Sequence, residues 1–83
     1  MKIKAIIVDD EKSARNVLSS LIALYYPQVE VLTTCTNVPE AILAIEKHQP
    51  NLVFLDVQMP EYQGYELLNM VAEVNFEVIF VTA

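Results

Sequence analysis

Glycine occurs once in the 83 residues, at Gly64, and that scarcity removes two nucleotide-binding readings together. The G-x-G-x-x-G dinucleotide fingerprint and the G-x-x-x-x-G-K-[ST] phosphate loop both require more than one glycine, which this chain does not have. Cysteine also occurs once, at Cys35, so no internal disulfide can form. Basic residues number 5 against 11 acidic ones, a net charge of −6, and Lys2, Lys4, Lys12, Arg15 and Lys47 are scattered along the chain. A phosphate backbone would be repelled, which argues against direct nucleic-acid binding by this segment. Long apolar runs are missing too: the opening one, residues 3–8, meets Asp9, Asp10 and Glu11 well before the length of a signal peptide or membrane span. The expectation is a cytoplasmic protein without membrane contact.

What is present is a hydrophobic content of 54%, far above that of disordered segments and sufficient for a globular core. Domains cluster at about 100–150 residues, so residues 1–83 are expected to form a single, incomplete domain.

The apolar residues fall into alternating periods. Residues 3–8 form a continuous, largely β-branched run, the pattern of a strand buried on both faces. Ala14, Val17, Leu18, Leu21, Ile22 and Tyr25 then recur at three-and-four spacing, predicting an amphipathic helix over residues 11–25 that Pro27 ends. Residues 29–34 alternate Val29, Val31 and Thr33 against Glu30, the pattern of an edge strand. Asn37 offers an N-cap, with Pro39 in the first turn and Glu40 at the third helical position, for a second helix ending before Pro50. Residues 52–55 predict a third strand, Leu67, Leu68 and Val71 a third helical face, and residues 78–81 a fourth strand. The order βαβαβαβ implies right-handed crossovers and a parallel sheet covered on both faces.

Three of these strands run into polar side chains: Asp9 and Asp10 after the first, Asp56 after the third, Thr82 after the fourth. In a parallel sheet the C-terminal strand ends share one edge, where ligands bind at the point at which strand order reverses. If strands one and three are neighbours, the three carboxylates converge. Like charges about 4 Å apart repel by about 4 kcal/mol at an effective dielectric near 20, so the cluster either raises a carboxylate pKa or recruits a cation. An oxygen-only donor set suits Mg2+ and disfavours Zn2+. A carboxylate beside bound Mg2+ can attack phosphorus to form an acyl phosphate, which makes Asp56 the candidate nucleophile. Thr82 could then donate its hydroxyl to a phosphate oxygen, and the small Ala83 would allow close approach.

Val8-Asp9-Asp10-Glu11, the turn Asp56-Val57-Gln58-Met59-Pro60 with Gly64 behind it, and Thr82-Ala83 together resemble a response-regulator receiver domain. Each motif is short, but all occur in order at strand ends, and the resemblance covers the whole chain. It implies a flavodoxin-like doubly wound sheet of strand order 2-1-3-4-5 and phosphorylation of Asp56 by a sensor histidine kinase. It further implies Mg2+ held by Asp10, Asp56 and the Gln58 carbonyl with Asp9 acting through water, and Thr82 as the switch hydroxyl. The fourth helix, fifth strand and fifth helix of the family, with a lysine that pairs with the phosphoryl group, would lie beyond residue 83. The Tyr25-Tyr26-Pro27 segment and residues 50–56 further resemble receivers joined to LytTR-type DNA-binding domains. DNA would then be reached only through an output domain outside this chain, in transcription regulation. An open fourth strand would invite self-association by strand or element exchange.

Simpler readings stand beside these. Asp9, Asp10 and Glu11 could be solvated acids at a helix N-terminus, where the helix dipole favours negative charge. Gly64 could serve only to adopt positive φ after Pro60. His48 near a helix end complements the dipole, and Cys35 is a small packed residue. Tyr62, Tyr65 and Met70 could form a partner surface. Two other functions remain: a pseudo-receiver that binds partners without taking phosphate, and a Mg2+-dependent phosphohydrolase of the dehalogenase type. The latter needs a second aspartate two residues after the nucleophile, where this chain has Gln58.

Overall fold

The computed structural model describes residues 2–59 and 61–81. Its elements run β1 (Ile3–Val8), α1 (Lys12–Tyr25), β2 (Val29–Cys35), α2 (Val38–His48), β3 (Leu52–Asp56), α3 (Glu66–Met70) and β4 (Glu77–Val81). The strands form one parallel sheet in the order β2-β1-β3-β4. Order reverses between β1 and β3: the chain leaves β1 toward β2, then crosses back over β1 to reach β3. Right-handed crossovers in opposite directions lay α1 on one face and α2 with α3 on the other.

Residue alternation along β1 divides the core accordingly. Ile6 and Val8 join Val53 and Leu55 of β3, Val38, Ala41 and Ile45 of α2, and Leu67 of α3 in one buried cluster. Ala5 and Ile7, equally buried, point to the opposite face, toward Ile22 of α1. The four expected strands are present within a residue or so of their expected ends, but the alternation expected in β2 breaks. Ala5 pairs with Val31 and Ile6 with Thr33, so Leu32 is the extra residue of a bulge and packs against the cluster.

Helix α1 is less covered than its periodicity implies. Only Ile22 is fully buried, whereas Val17, Leu21 and Tyr25, along one edge of the apolar stripe, are exposed, and Val17 and Leu21 line an open cleft with Val81 of β4. At α2 the expected cap is present: Asn37 Oδ1 accepts from the Glu40 N–H at 2.8 Å. Glu40 reaches past Asn37, accepting from the Thr36 N–H at 2.7 Å and from the Thr36 hydroxyl, so the reciprocal bond ties the end of β2 to the helix. Helix α3 is shorter than its apolar positions suggest, because Val71 is already extended at ψ 148° and closes only one bond, to Leu67. No described helix is long and apolar enough to cross a membrane.

Candidate functional site

Register builds the site. Val8 of β1 stands opposite Leu55 of β3, so the next residues, Asp9 and Asp56, leave the sheet side by side. Among the described residues, Asp9, Asp10 and Asp56 each offer a carboxylate oxygen, and these oxygens lie within 4.8 Å of one another. Asp9 and Asp56 are half-buried and Asp10 is exposed. The predicted convergence is therefore present. Thr82, Ala83 and Pro60, named above from the sequence, lie outside the described residues.

Backbone hydrogen bonds orient the acids. The Asp9 N–H donates to the Cys35 carbonyl at 3.0 Å, continuing the β1–β2 ladder one residue past the strand. Asp9 Oδ1 accepts from the Glu11 N–H at 2.9 Å, and its carbonyl accepts from Arg15 Nη1 at 2.8 Å. Asp56 Oδ1 accepts from the Gln58 N–H at 3.2 Å, which ties the carboxylate to the following loop. Burial raises the Asp56 pKa above its ordinary 3.8; the Gln58 N–H opposes the rise, while the charges of Asp9 and Asp10 and a hydrogen bond to Asp10 add to it. The carboxylates thus already repel one another at neutral pH.

The loop after Asp56 folds tightly back. Gln58 and Gln63 form an antiparallel bridge, Met59 N–H donates to the Tyr62 carbonyl at 3.2 Å, and Gly64 N–H donates to the Val57 carbonyl at 2.8 Å. Gly64 does not adopt positive φ, which corrects the simpler reading above. A Cβ there would lie 2.2 Å from the Asp56 carbonyl oxygen. Glycine is required because the loop returns onto the Asp56 peptide itself. The one described residue with left-handed φ is Gln49, at 49°, capping the C-terminus of α2.

Two contributors were not legible in the pattern. Met59 is 8% exposed and anchors the loop in the α2/α3 core, although its flanks read as turn. Arg15, counted among scattered cations, reaches the acid loop. Its i+6 separation from Asp9 was the available signal, since one helical turn after an N-cap returns a long side chain to the preceding loop. Cys35 is buried, with its thiol pushed up to about 11 chiefly by burial, as expected for a packed residue. Tyr65 and Met70 are exposed, while Tyr62 packs against the core and lines an open cleft of about 450 Å³ beside Asp10.

The donor set among the described residues fits Mg2+ chemically: three carboxylates with no nitrogen or sulfur ligand in the group, and mutual repulsion that a divalent ion would relieve.

A family model for the response regulator receiver domain matches residues 5–83. The chain belongs to this family. An uncharacterized response regulatory protein of Vibrio cholerae is 43% identical over 82 residues, 98% of this chain and 34% of that protein. The transcriptional regulatory protein BtsR of Escherichia coli is 38% identical over 82 residues, again 98% of this chain and 34% of its own length. The receiver therefore spans about a third of the length of these relatives. Among solved structures, the response regulator domain of Thermotoga maritima CheB superposes with a TM-score of 0.87 at 26% identity, over 99% of this chain and 61% of that one. A DNA-binding response regulator of the LuxR family from Staphylococcus aureus gives 0.84 at 34% identity, over 96% and 68%. The fold is thus the flavodoxin-like receiver fold, and the chain is the receiver of a two-component response regulator.

Proposed function

We propose that this receiver accepts a phosphoryl group on Asp56 from the phosphohistidine of a sensor histidine kinase, with Mg2+ as cofactor, and thereby switches an output. The observation that carries the reading is the convergence of Asp9, Asp10 and Asp56 at the order-reversal edge of a receiver sheet. In the transfer, an Asp56 carboxylate oxygen bonds to phosphorus while the bond from phosphorus to the donor imidazole nitrogen breaks, its electron pair leaving with the imidazole. Asp56 is restrained for this by Gln58 N–H and by the loop that Gly64 allows to close. Bound Mg2+ would neutralise charge on the transferring oxygens, held by Asp10, Asp56 and the Gln58 carbonyl, with Asp9 acting through water. Thr82 is assigned as the switch hydroxyl, with Ala83 beside it, on the sequence motif alone. The domain takes up and loses its own phosphoryl group and turns over no external substrate.

The output is a change of partner surface. A link to DNA would pass through a further domain, of the LytTR type by sequence resemblance, and similarity to the transcriptional regulatory protein BtsR supports regulation of that kind; the cytoplasm is the compartment proposed for it. On β4, the outer strand of the described sheet, Ile79 and Phe80 are exposed by 46% and 47%. This supports self-association of the 83-residue chain by strand or element exchange; a monomeric mass by light scattering at high concentration would refute it.

The test is the intact mass after incubation with acetyl phosphate, with and without Mg2+. One added phosphoryl group, absent without Mg2+ and absent in Asp56→Asn, is expected. Equal uptake by the variant would remove Asp56 as acceptor, and no uptake by the wild type would favour the pseudo-receiver.

A further inference from the structure

We infer that Arg15 is a positioning residue for the acid centre: its guanidinium holds the loop between β1 and α1 in the form that aims Asp9 and Asp10 at Asp56. This rests on the proposed reading of that cluster as a Mg2+ site. The loop is only three residues long, Asp9 to Glu11, and carries two of the three clustered carboxylates. The Asp9 carbonyl lies past the end of β1, beyond the last β1–β2 ladder bond, from the Asp9 N–H to Cys35, and accepts no backbone hydrogen bond among the described residues. Arg15 Nη1 fills that position at 2.8 Å in a half-buried setting. The helix supplies the reach, because the Arg15 N–H bonds to the Glu11 carbonyl at 3.1 Å and begins α1 directly above the loop.

The guanidinium also spans neighbouring segments. Burial and the Glu40 charge raise the Cys35 pKa at the end of β2 with the Arg15 charge opposing them, and the Thr36 hydroxyl and N–H lower that of Glu40 in the first turn of α2 with the Arg15 charge adding to them. Arg15, in the first turn of α1, thus closes on the end of β1. The acid loop is pinned from three directions: the Asp9 N–H on Cys35, the Asp9 carboxylate on Glu11, and the Asp9 carbonyl on Arg15.

Charge and geometry predict opposite outcomes, which makes the role testable. A cation close to a Mg2+ site repels the ion, so removing Arg15 would tighten binding if charge were its only effect. If Arg15 positions the ligands, removing it weakens binding despite the charge relief. Groups that orient metal ligands typically contribute 10–100-fold to affinity, and one bond to a backbone carbonyl belongs at the lower end, about tenfold.

The experiment titrates Mg2+ into the full chain, following the amide NMR shifts of Asp10 and Asp56, for the wild type, Arg15→Met, Arg15→Lys and Asp10→Asn. Thermal melting without Mg2+ serves as the structural control. Arg15→Met should raise the Mg2+ Kd about tenfold, with Arg15→Lys lying between it and the wild type because an ammonium keeps a donor and a charge. An unchanged or lower Kd in Arg15→Met, or a lowered melting temperature with Kd intact, overturns the inference. If Arg15→Met does not fold, the Arg15→Lys Kd decides, and equality with the wild type overturns it. Failure of the underlying site reading looks different: the wild type then shows no saturable Mg2+ shift, or Asp10→Asn binds as the wild type does.

Discussion

Asp56 sits where folding and function oppose each other. Its pKa is raised in the folded chain, first by burial and then by the charges of Asp9 and Asp10. A carboxylate whose folded pKa lies above its unfolded value contributes stability that is fully present below the unfolded pKa and is lost as pH rises through the folded one. At neutral pH the ionised Asp56 therefore destabilises the fold. Asp56→Asn retains an oxygen that can accept from Gln58 and removes the charge, so the variant should melt higher than the wild type at pH 7 without Mg2+. The gap should shrink as pH falls below the raised Asp56 pKa toward 3.8; thermal melts across pH 4–7 check this. A wild type as stable as the variant at pH 7 would mean that the cluster is not strained. The identity of the acids was legible, because strands that end in carboxylates announce a site at the sheet edge. The restraint on them was not, since Arg15 and Gly64 act on backbone carbonyls that no residue pattern encodes.

At the scale of elements, local side-chain bonds close the corner between β2 and α2. Asn37 caps the helix and Glu40 closes on Thr36. Replacing an N-cap asparagine by alanine costs about 0.5–2 kcal/mol, so Asn37→Ala should lower the urea midpoint by a corresponding amount with an unchanged slope. Glu40 titrates in the opposite sense to Asp56. Its pKa is lowered below 4.5, first by the Thr36 hydroxyl and then by the Thr36 N–H, so its contribution is present above 4.5 and is lost as pH falls through the lowered value. In Glu40→Gln that acid-side loss should be absent, which melting between pH 5 and 3 would detect. Asn37, Pro39 and Glu40 were readable as a helix start because capping chemistry is local. The bulge at Leu32 and the early end of α3 at Val71 were not, because each is decided by what the neighbouring element covers.

Across the whole molecule, the cluster of β1, β3, α2 and α3 holds the edge that bears the site. Leu55 is fully buried at the centre of that cluster, one residue before Asp56. Leu55→Ala should cost about 2–5 kcal/mol, a large part of the about 5–15 kcal/mol typical of whole domains. Urea unfolding measures it, and a loss below about 1 kcal/mol would place the core elsewhere. By itself the sequence determined the alternation of strands and helices, the parallel sheet and the acids at its strand ends. These follow from apolar periodicity, whose 2.0 and 3.6 residue repeats are written along the chain. The family resemblance already implied that β1 and β3 are neighbours, whereas tertiary structure alone decided the register that sets Asp9 beside Asp56. It also decided that Arg15 closes on the acid loop, that Gly64 lies against the Asp56 peptide, and that Val17 and Leu21 stay exposed on α1. Those outcomes depend on distances between segments far apart in the chain, and a residue's own chemistry does not say which distant backbone it will meet.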